Sequence, residues 1–263
     1  MKSFLPAMMA ASLIVSTVTI AAPATAQQTI VLTIDDLPFI GTAGNNKHKQ
    51  QREHDRFMKV MRIIKNANIP AAGFVIAGNI EKGQWALLEK WKNNGFLIAN
   101  HSFHHWNLNQ TESDRYIQDV AHADRVLSTL MPQHKKYFRY PFLATGRNHA
   151  QKIKVRHAIE NMGYTIAPVT IDSKDYYFNA QLMDTPWRQR NSILPHLTDQ
   201  YMRYIARQTQ LAEKKARTNG HPHQAQILLI HMNVLATHTI ARIIHYYKHR
   251  GYRFIPLEQA LRN

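Results

Sequence analysis

His101 and His105 stand four apart in Asn100-His101-Ser102-Phe103-His104-His105, directly after a short apolar run. If that segment turns helically, both imidazoles project from one side and can grip one ion. Asp35 and Asp36 follow another apolar run, Thr29 to Ile34. A carboxylate from there completes a three-ligand set with positions left for water and substrate, a composition that suits zinc or another divalent transition metal. Side chains alternate along an extended segment, so the two aspartates are expected to point differently. One could bind metal while the other acts as a base, or one could cap the following turn. Arg139, in Arg139-Tyr140-Pro141-Phe142, is placed to pair with a carboxylate and hold it ionised. Asp175, in Asp172-Ser173-Lys174-Asp175, and His231 could form an acid pair, the carboxylate orienting the imidazole and stabilising its protonated form. The chain has 16 histidines, so spacing alone says little. His245 and His249 share the four-residue spacing but lie opposite the apolar stripe of their helix, where solvent is expected.

The elements that must position these residues alternate along the chain. Strand candidates are Thr29 to Ile34, Ala72 to Ile76, Phe96 to Ala99, Tyr137 to Arg139, Thr165 to Ile171, Ile227 to Ile230 and Tyr252 to Ile255. Between them run helical stripes: Phe57, Val60, Met61 and Ile64; Tyr116, Val120, Ala123, Leu127 and Leu130; Ile240, Ile243, Ile244 and Tyr247. Gly95 and Gly251 sit where a helix ends and a strand begins. Such alternation predicts an α/β fold with a parallel sheet, and the pattern fits a barrel and a doubly wound sheet alike. Both place their sites at the carboxyl ends of strands. The candidate residues all follow strands.

With 263 residues the chain is long enough for a sizeable core. Residues 1–26, with Lys2, an apolar Leu13 to Ile20 and Ala24-Thr25-Ala26, read as a secretory signal peptide, leaving 27–263 as a single catalytic domain in the periplasm or outside the cell. No later segment is apolar and long enough to span a membrane. There is no cysteine, so thiolate ligands and a cysteine nucleophile are excluded. The formal charge of +16, one unit less without Lys2, suits an anionic envelope surface. The basic residues are scattered and not interleaved with aromatics, so no nucleic-acid partner is expected.

Five motifs in order, Thr33-Ile34-Asp35-Asp36, His101-Ser102-Phe103-His104-His105, Arg139-Tyr140-Pro141-Phe142, Asp172-Ser173-Lys174-Asp175-Tyr176 and Leu229-Ile230-His231, resemble those of the polysaccharide deacetylases of carbohydrate esterase family 4, the NodB-homology domain. The resemblance implies a distorted (β/α)7-type barrel. It implies Asp36, His101 and His105 as ligands of a divalent metal, zinc with cobalt or nickel as substitutes. It implies Asp35 as general base oriented by Arg139, and His231 as general acid tuned by Asp175. The backbone N–H of Phe142 would help hold the oxyanion, with Tyr140 and Tyr176 beside the substrate. Two departures are visible: Tyr176 replaces the family's usual tryptophan, and Leu143 replaces a usual glycine. The aromatic run Tyr176-Tyr177-Phe178 could stack on sugars or simply pack in the barrel. The Asn191 to Asn219 insertion, helical over Tyr201 to Leu211, could form a lid, a rim or a structural excursion.

The activity implied is removal of N- or O-linked acetyl groups from a polysaccharide or oligosaccharide, with an acetylated envelope glycan as substrate. Two rivals are a hydrolase of the C–N bond in a small amide, and a degenerate barrel that binds glycans without turnover. The intact His101/His105/Asp36 set argues against the first. Retention of Asp35, Arg139, Asp175 and His231 argues against the second, because binding needs neither a base nor an acid.

Overall fold

The computed structural model describes Met1 and residues 27–262, apart from Thr42 and Asn45. Apart from Met1, the signal segment expected over 1–26 lies outside the described residues. The first apolar run becomes β1 (Thr29–Leu37), almost wholly buried, as a strand covered on both faces must be. Around it stand β2 (Ala71–Val75), β3 (Leu97–Asn100), β4 (Lys136–Phe138), β5 (Tyr164–Ile166), β6 (Ile171–Asp172), β7 (Gln226–His231) and β8 (Arg253–Phe254). All pairings are parallel. The order is β5-β4-β3-β2-β1-β7-β6, with β8 against the start of β1.

This order decides between the two architectures the pattern left open. Read as a ring, the strands run 1 to 7 in sequence, with a single break between β5 and β6, which makes an open, distorted (β/α)7-type barrel. A doubly wound sheet would reverse direction at an interior switch point. The predicted single strand Thr165 to Ile171 is corrected here: it divides into β5 and β6 on opposite edges of the break. Ala167 N–H still donates to Phe138 O of β4 at 2.8 Å, and Thr170 N–H donates to Ile227 O of β7 at 3.1 Å. Pro168 lies between them and has no N–H to offer either ladder.

The helices follow the predicted stripes. The α1 helix (Lys47–Asn66) starts where the Asn46 side chain accepts Lys49 N–H at 2.9 Å, and it buries Phe57, Val60, Met61 and Ile64. After α2 (Trp85–Asn93), α3 (Ser113–Leu127) buries Tyr116, Val120, Ala123 and Leu127. The α4 (His149–Asn161), α5 (Asp175–Asp184), α6 (Arg190–Thr218), α7 (Ala236–His249) and α8 (Leu257–Ala260) helices complete the outer layer. Gly95 and Gly251 take φ of 79° and 77° just past α2 and α7, the left-handed stop that glycine permits. His245 and His249 are exposed on α7, as expected. The 191–219 insertion is α6, a long helix that buries Leu197, Tyr201, Ile205, Ala212 and Ala216 against α5, α7 and β6. It is a wall of the fold and covers no part of the site described below. Among the described residues no helix is long and apolar enough to cross a membrane.

Trp91 anchors the wall beside β2 and β3. It is fully buried, packs on Phe96 and Phe57, and donates Nε1–H to Leu97 O at 2.9 Å. Trp91→Ala is expected to cost about 3–5 kcal/mol of unfolding free energy, read from urea melts.

Candidate active site

At the carboxyl ends of the strands a cavity of about 380 Å³ is lined by Asp35, Asp36, His101, His105, Tyr140, Phe142, Tyr176 and His231, among others. Arg139 and Asp175 lie buried just behind it. Every residue predicted from sequence is therefore brought to one place, though not always by the predicted local structure.

Asp35 and Asp36 were expected to point apart. The β1–β2 register breaks between Ile34 and Leu37, and Asp36 takes φ of 63°. This bulge re-aims Asp36 so that both carboxylates face the cavity. Asp35 Oδ2 and Asp36 Oδ1 lie 3.7 and 3.6 Å from His101 Nε2. His101 and His105 converge without a helix. Ser102 and His105 adopt φ of 68° and 57°, Ser102 N–H donates to Asn100 Oδ1, and His105 N–H donates to Ser102 Oγ. His105 Nε2 then stands 3.3 Å from Asp36 Oδ1. The middle histidine of the motif turns away: His104 is held by the buried Asp119 carboxylate, which also accepts the backbone N–H groups of Phe103 and His104. Left-handed backbone at three non-glycine residues costs energy and is retained where side chains must converge.

Asp36, His101 and His105 place one ligand atom each within 4.8 Å of one another. His101 Nδ1 donates to Arg139 O at 2.9 Å, which fixes the tautomer and leaves Nε2 as a lone pair toward the cavity. Burial pulls His101 and His105 down to about 3, so both are neutral. Burial also pushes the Asp36 carboxyl up to about 6, against the pull of His231 and with the repulsion of Asp35 and Asp175. Asp36 Oδ1 is buried and meets no donor. A buried acceptor beside two imidazole lone pairs is a set that a divalent cation satisfies and that hydrogen bonds within the chain do not.

Arg139 is fully buried. Its Nη1 donates to Asp35 Oδ1 and to Thr33 Oγ1, both at 2.7 Å, while Nη2 donates to Pro168 O at 3.2 Å and Nε to Ala167 O at 3.5 Å. The guanidinium lies 4.1 Å over the Phe74 ring. Burial lifts the Asp35 carboxyl above its ordinary range, opposed by Arg139. Across the β1–β7 ladder, Asp35 is register partner to His231. His231 Nδ1–H donates to Asp175 Oδ1 at 2.6 Å, and His231 N–H donates to Asp175 Oδ2 at 2.8 Å. Burial disfavours the imidazolium, but Asp175, then Asp36 and Asp35, outweigh it and push His231 up to about 10. Asp175 is the first residue of α5.

Phe142, with φ of 58°, sets its ring 4.7 Å from that of His105. Tyr140 is buried at the cavity floor, its hydroxyl pushed up to about 12 by burial. Tyr176 stands edge-on to His231 at 6.1 Å. Sequence reasoning quoted Thr33, whose hydroxyl links Arg139 to Leu228 O, in a motif but gave it no role, and it passed over Asn233. Asn233 Nδ2 donates to Asp175 Oδ2 at 2.7 Å while its Oδ1 accepts Ala236 N–H at the start of α7. An asparagine ahead of a helix reads as a cap, and that reading hides its second partner. Lys174 and Asp172, ion-paired at 2.8 Å, also line the cavity.

Two expectations follow from these charges. Asp36 must be ionised to act as a ligand, and the two imidazoles stay neutral down to about 3. Zinc affinity, measured by competition with a chromophoric chelator, should hold above pH 6 and fall as pH drops below about 6. His231 is raised, so its contribution to stability is fully present below its unfolded value of 6.5 and is lost as pH rises to about 10. In the chelator-treated chain, Asp175→Asn should lower the His231 titration midpoint, followed by NMR, and flatten stability across that window.

Comparison with known proteins bears on the family and the fold. A family model described as polysaccharide deacetylase matches residues 22–167. A chitin deacetylase of Colletotrichum lindemuthianum is 24% identical over 159 residues, 57% of this chain and 54% of that protein. Its solved structure superposes with a TM-score of 0.59 at 20% identity, over 90% of this chain and 88% of that one. A peptidoglycan-N-acetylglucosamine deacetylase of Bacillus cereus is 27% identical over 84 residues, 32% of this chain and 30% of that protein. The chain thus spans about half or less of the length of these curated relatives. A pseudoenzyme of the same carbohydrate esterase family, from Bacillus anthracis, superposes with a TM-score of 0.61 at 17% identity, over 90% of this chain and 66% of that one. At these identities the structural likeness speaks for the fold, and the family assignment rests on the matched sequence span. The chain belongs to the polysaccharide deacetylase family.

Proposed function

We propose that the chain is a metal-dependent hydrolase that removes N- or O-linked acetyl groups from a polysaccharide or oligosaccharide of the cell envelope. One observation carries this reading: a buried carboxylate, Asp35, and an imidazole held protonated, His231, are neighbours across one cavity beside a three-ligand set. A glycan-binding barrel has no use for a base and an acid set against each other.

Asp36, His101 and His105 are the residues to hold the ion, zinc by their donor chemistry, with cobalt or nickel as substitutes. Such an ion, when bound, polarises an acyl oxygen and lowers the pKa of a water. Asp35 takes the proton of the attacking water. Its carboxyl, lifted by burial, is a stronger base than a free aspartate, and Arg139 fixes which oxygen faces the cavity. Phe142 presents its backbone N–H to the developing oxyanion, beside Tyr140. His231 gives its proton to the departing amine or alkoxide, and Asp175 holds the ring in the orientation and charge state this needs. Tyr176 closes one wall. The signal segment expected over residues 1–26 would deliver the chain to the periplasm or beyond, where envelope glycans are found. The strongly positive charge suits an anionic envelope surface.

The test is acetate release from a panel of acetylated glycans, before and after chelation and zinc restoration. Release should vanish with chelator and return with zinc. Asp35→Asn should lower kcat by about 10²–10⁴-fold with zinc content unchanged, whereas His105→Ala should lose the zinc. Full activity in Asp35→Asn would remove the base from this scheme. Bound zinc without acetate from any glycan would favour a binding barrel.

A further inference from the structure

The α6 helix carries its charges unevenly. Its two acidic residues, Asp199 and Glu213, are both taken by arginines of the α7 segment. Asp199 Oδ1 accepts Arg242 Nη2–H at 2.7 Å, and Glu213 Oε1 accepts Arg250 Nη2–H at 2.9 Å. Its apolar residues Leu197, Tyr201, Ile205 and Ala212 face inward. The outer edge is left to Arg203, Arg207, Lys214 and Arg217, all exposed. Their i, i+4, i+11, i+14 spacing sets them in one row down the helix, and the i+7 place between them is the neutral Gln210. None of the four cations has an ion-pair partner among the described residues. From Arg203 to Arg217 the row spans about 21 Å.

Four cations in a straight row fit a flat partner that presents many anions at once. The headgroup phosphates of an anionic bilayer do so, and each arginine fork can take phosphate oxygens in pairs. Leu211, half exposed at the edge of the row, matches the boundary between headgroups and acyl chains. No aromatic residue stands in the row, so it lacks the stacking platforms that a single-stranded nucleic acid needs. The α1 helix offers a contrast. Its exposed cations Arg52, Lys59 and Arg62 also share one side, but Asp55 stands among them.

We infer that the outer edge of α6 docks on an anionic phospholipid surface through Arg203, Arg207, Lys214 and Arg217. The helix joins β6 to β7, parallel strands that both end at the cavity, so it runs back from the cavity toward the opposite end of the barrel. With α6 laid on a surface, the strands run along that surface and the cavity mouth opens beside it, not into it. The docked chain therefore meets molecules that lie alongside a membrane, while the lipids that hold it stay out of the cavity's reach. Such docking gives a face and a partner to the envelope contact proposed above, and it does not depend on acetate release.

The experiment is co-sedimentation of residues 27–263, which hold every element of the described fold, with vesicles of phosphatidylglycerol and phosphatidylcholine and with vesicles of phosphatidylcholine alone. Binding should require phosphatidylglycerol and weaken as salt rises. An Arg203→Gln/Arg207→Gln/Lys214→Gln variant should bind at least about tenfold more weakly than the parent. An Arg52→Gln/Lys59→Gln/Arg62→Gln variant removes the same charge from α1 and should stay within about twofold of the parent. All six side chains are exposed, so thermal melts of both variants should match the parent's. Equal losses in the two variants would overturn the inference, because net charge alone would then account for binding. Equal binding to neutral vesicles would overturn it as well. No binding to anionic vesicles, with retention of the parent but not of the α6 variant on immobilised poly(glycerol phosphate), would replace the lipid with an anionic polymer. Vesicle binding is read without substrate, so the deacetylase proposal can fail while this one holds.

Discussion

A guanidinium with no exposure to water organises this protein. Burying Arg139 is costly unless its donors and charge are met, and a misplaced partner would leave a naked ion in the interior. Its partners come from separate parts of the chain: Asp35 and Thr33 on β1, the carbonyls of Ala167 and Pro168 at the break between β5 and β6, and the face of Phe74 on β2. At the break the arginine donates to both carbonyls. The main chain of the same residue orients His101. The arrangement that closes the barrel's seam thus also aims the Asp35 carboxylate and selects the tautomer of His101. A lysine could not do this, because its point charge lacks the planar fork that reaches acceptors on either side.

Much of this was legible in the sequence because position after a strand is a strong constraint in parallel α/β folds. Asp35, Asp36, His101, His105, Arg139, Asp175 and His231 all announced themselves in that way. What was not legible is local backbone departure. Alternation along β1 predicts that Asp35 and Asp36 part, and a bulge with a left-handed Asp36 defeats it. Four-residue spacing suggests a helical turn for His101 and His105, and a turn built on Ser102 and a left-handed His105 delivers the same convergence. Apolar composition reads Thr165 to Ile171 as one strand, although the proline within it marks where the ladder stops. Thr33 stands in the first motif but without a readable role, and Asn233 carried no signal, since a threonine in a strand and an asparagine before a helix both have ordinary explanations.

The electrostatics of the site share one theme. Burial drives Asp36, His101 and His105 toward their uncharged forms, whereas the Asp175 carboxylate keeps His231 charged against the same pressure. Groups a few ångströms apart are therefore held in opposite protonation tendencies by what each touches, the condition for a base and an acid to coexist near neutral pH. The departures from the family pattern, Tyr176 and Leu143, fall on the cavity wall and leave this charge arrangement intact.

The placement of β1 also bears on how the chain reaches this state. β1 is the first strand, yet one of its edges is completed by β7, and β8 joins its start, elements that begin near residue 226 and end at 254. The ladder that sets Asp35 beside His231 therefore joins residues almost two hundred positions apart, and the loop between them must be ordered before that contact gains anything. While the chain emerges, β1, almost wholly buried in the finished fold, waits with an unpaired edge. Pairing of Asp35 with His231 is in this sense a late event of synthesis, and any nascent chain short of β7 exposes a strand that invites association with others.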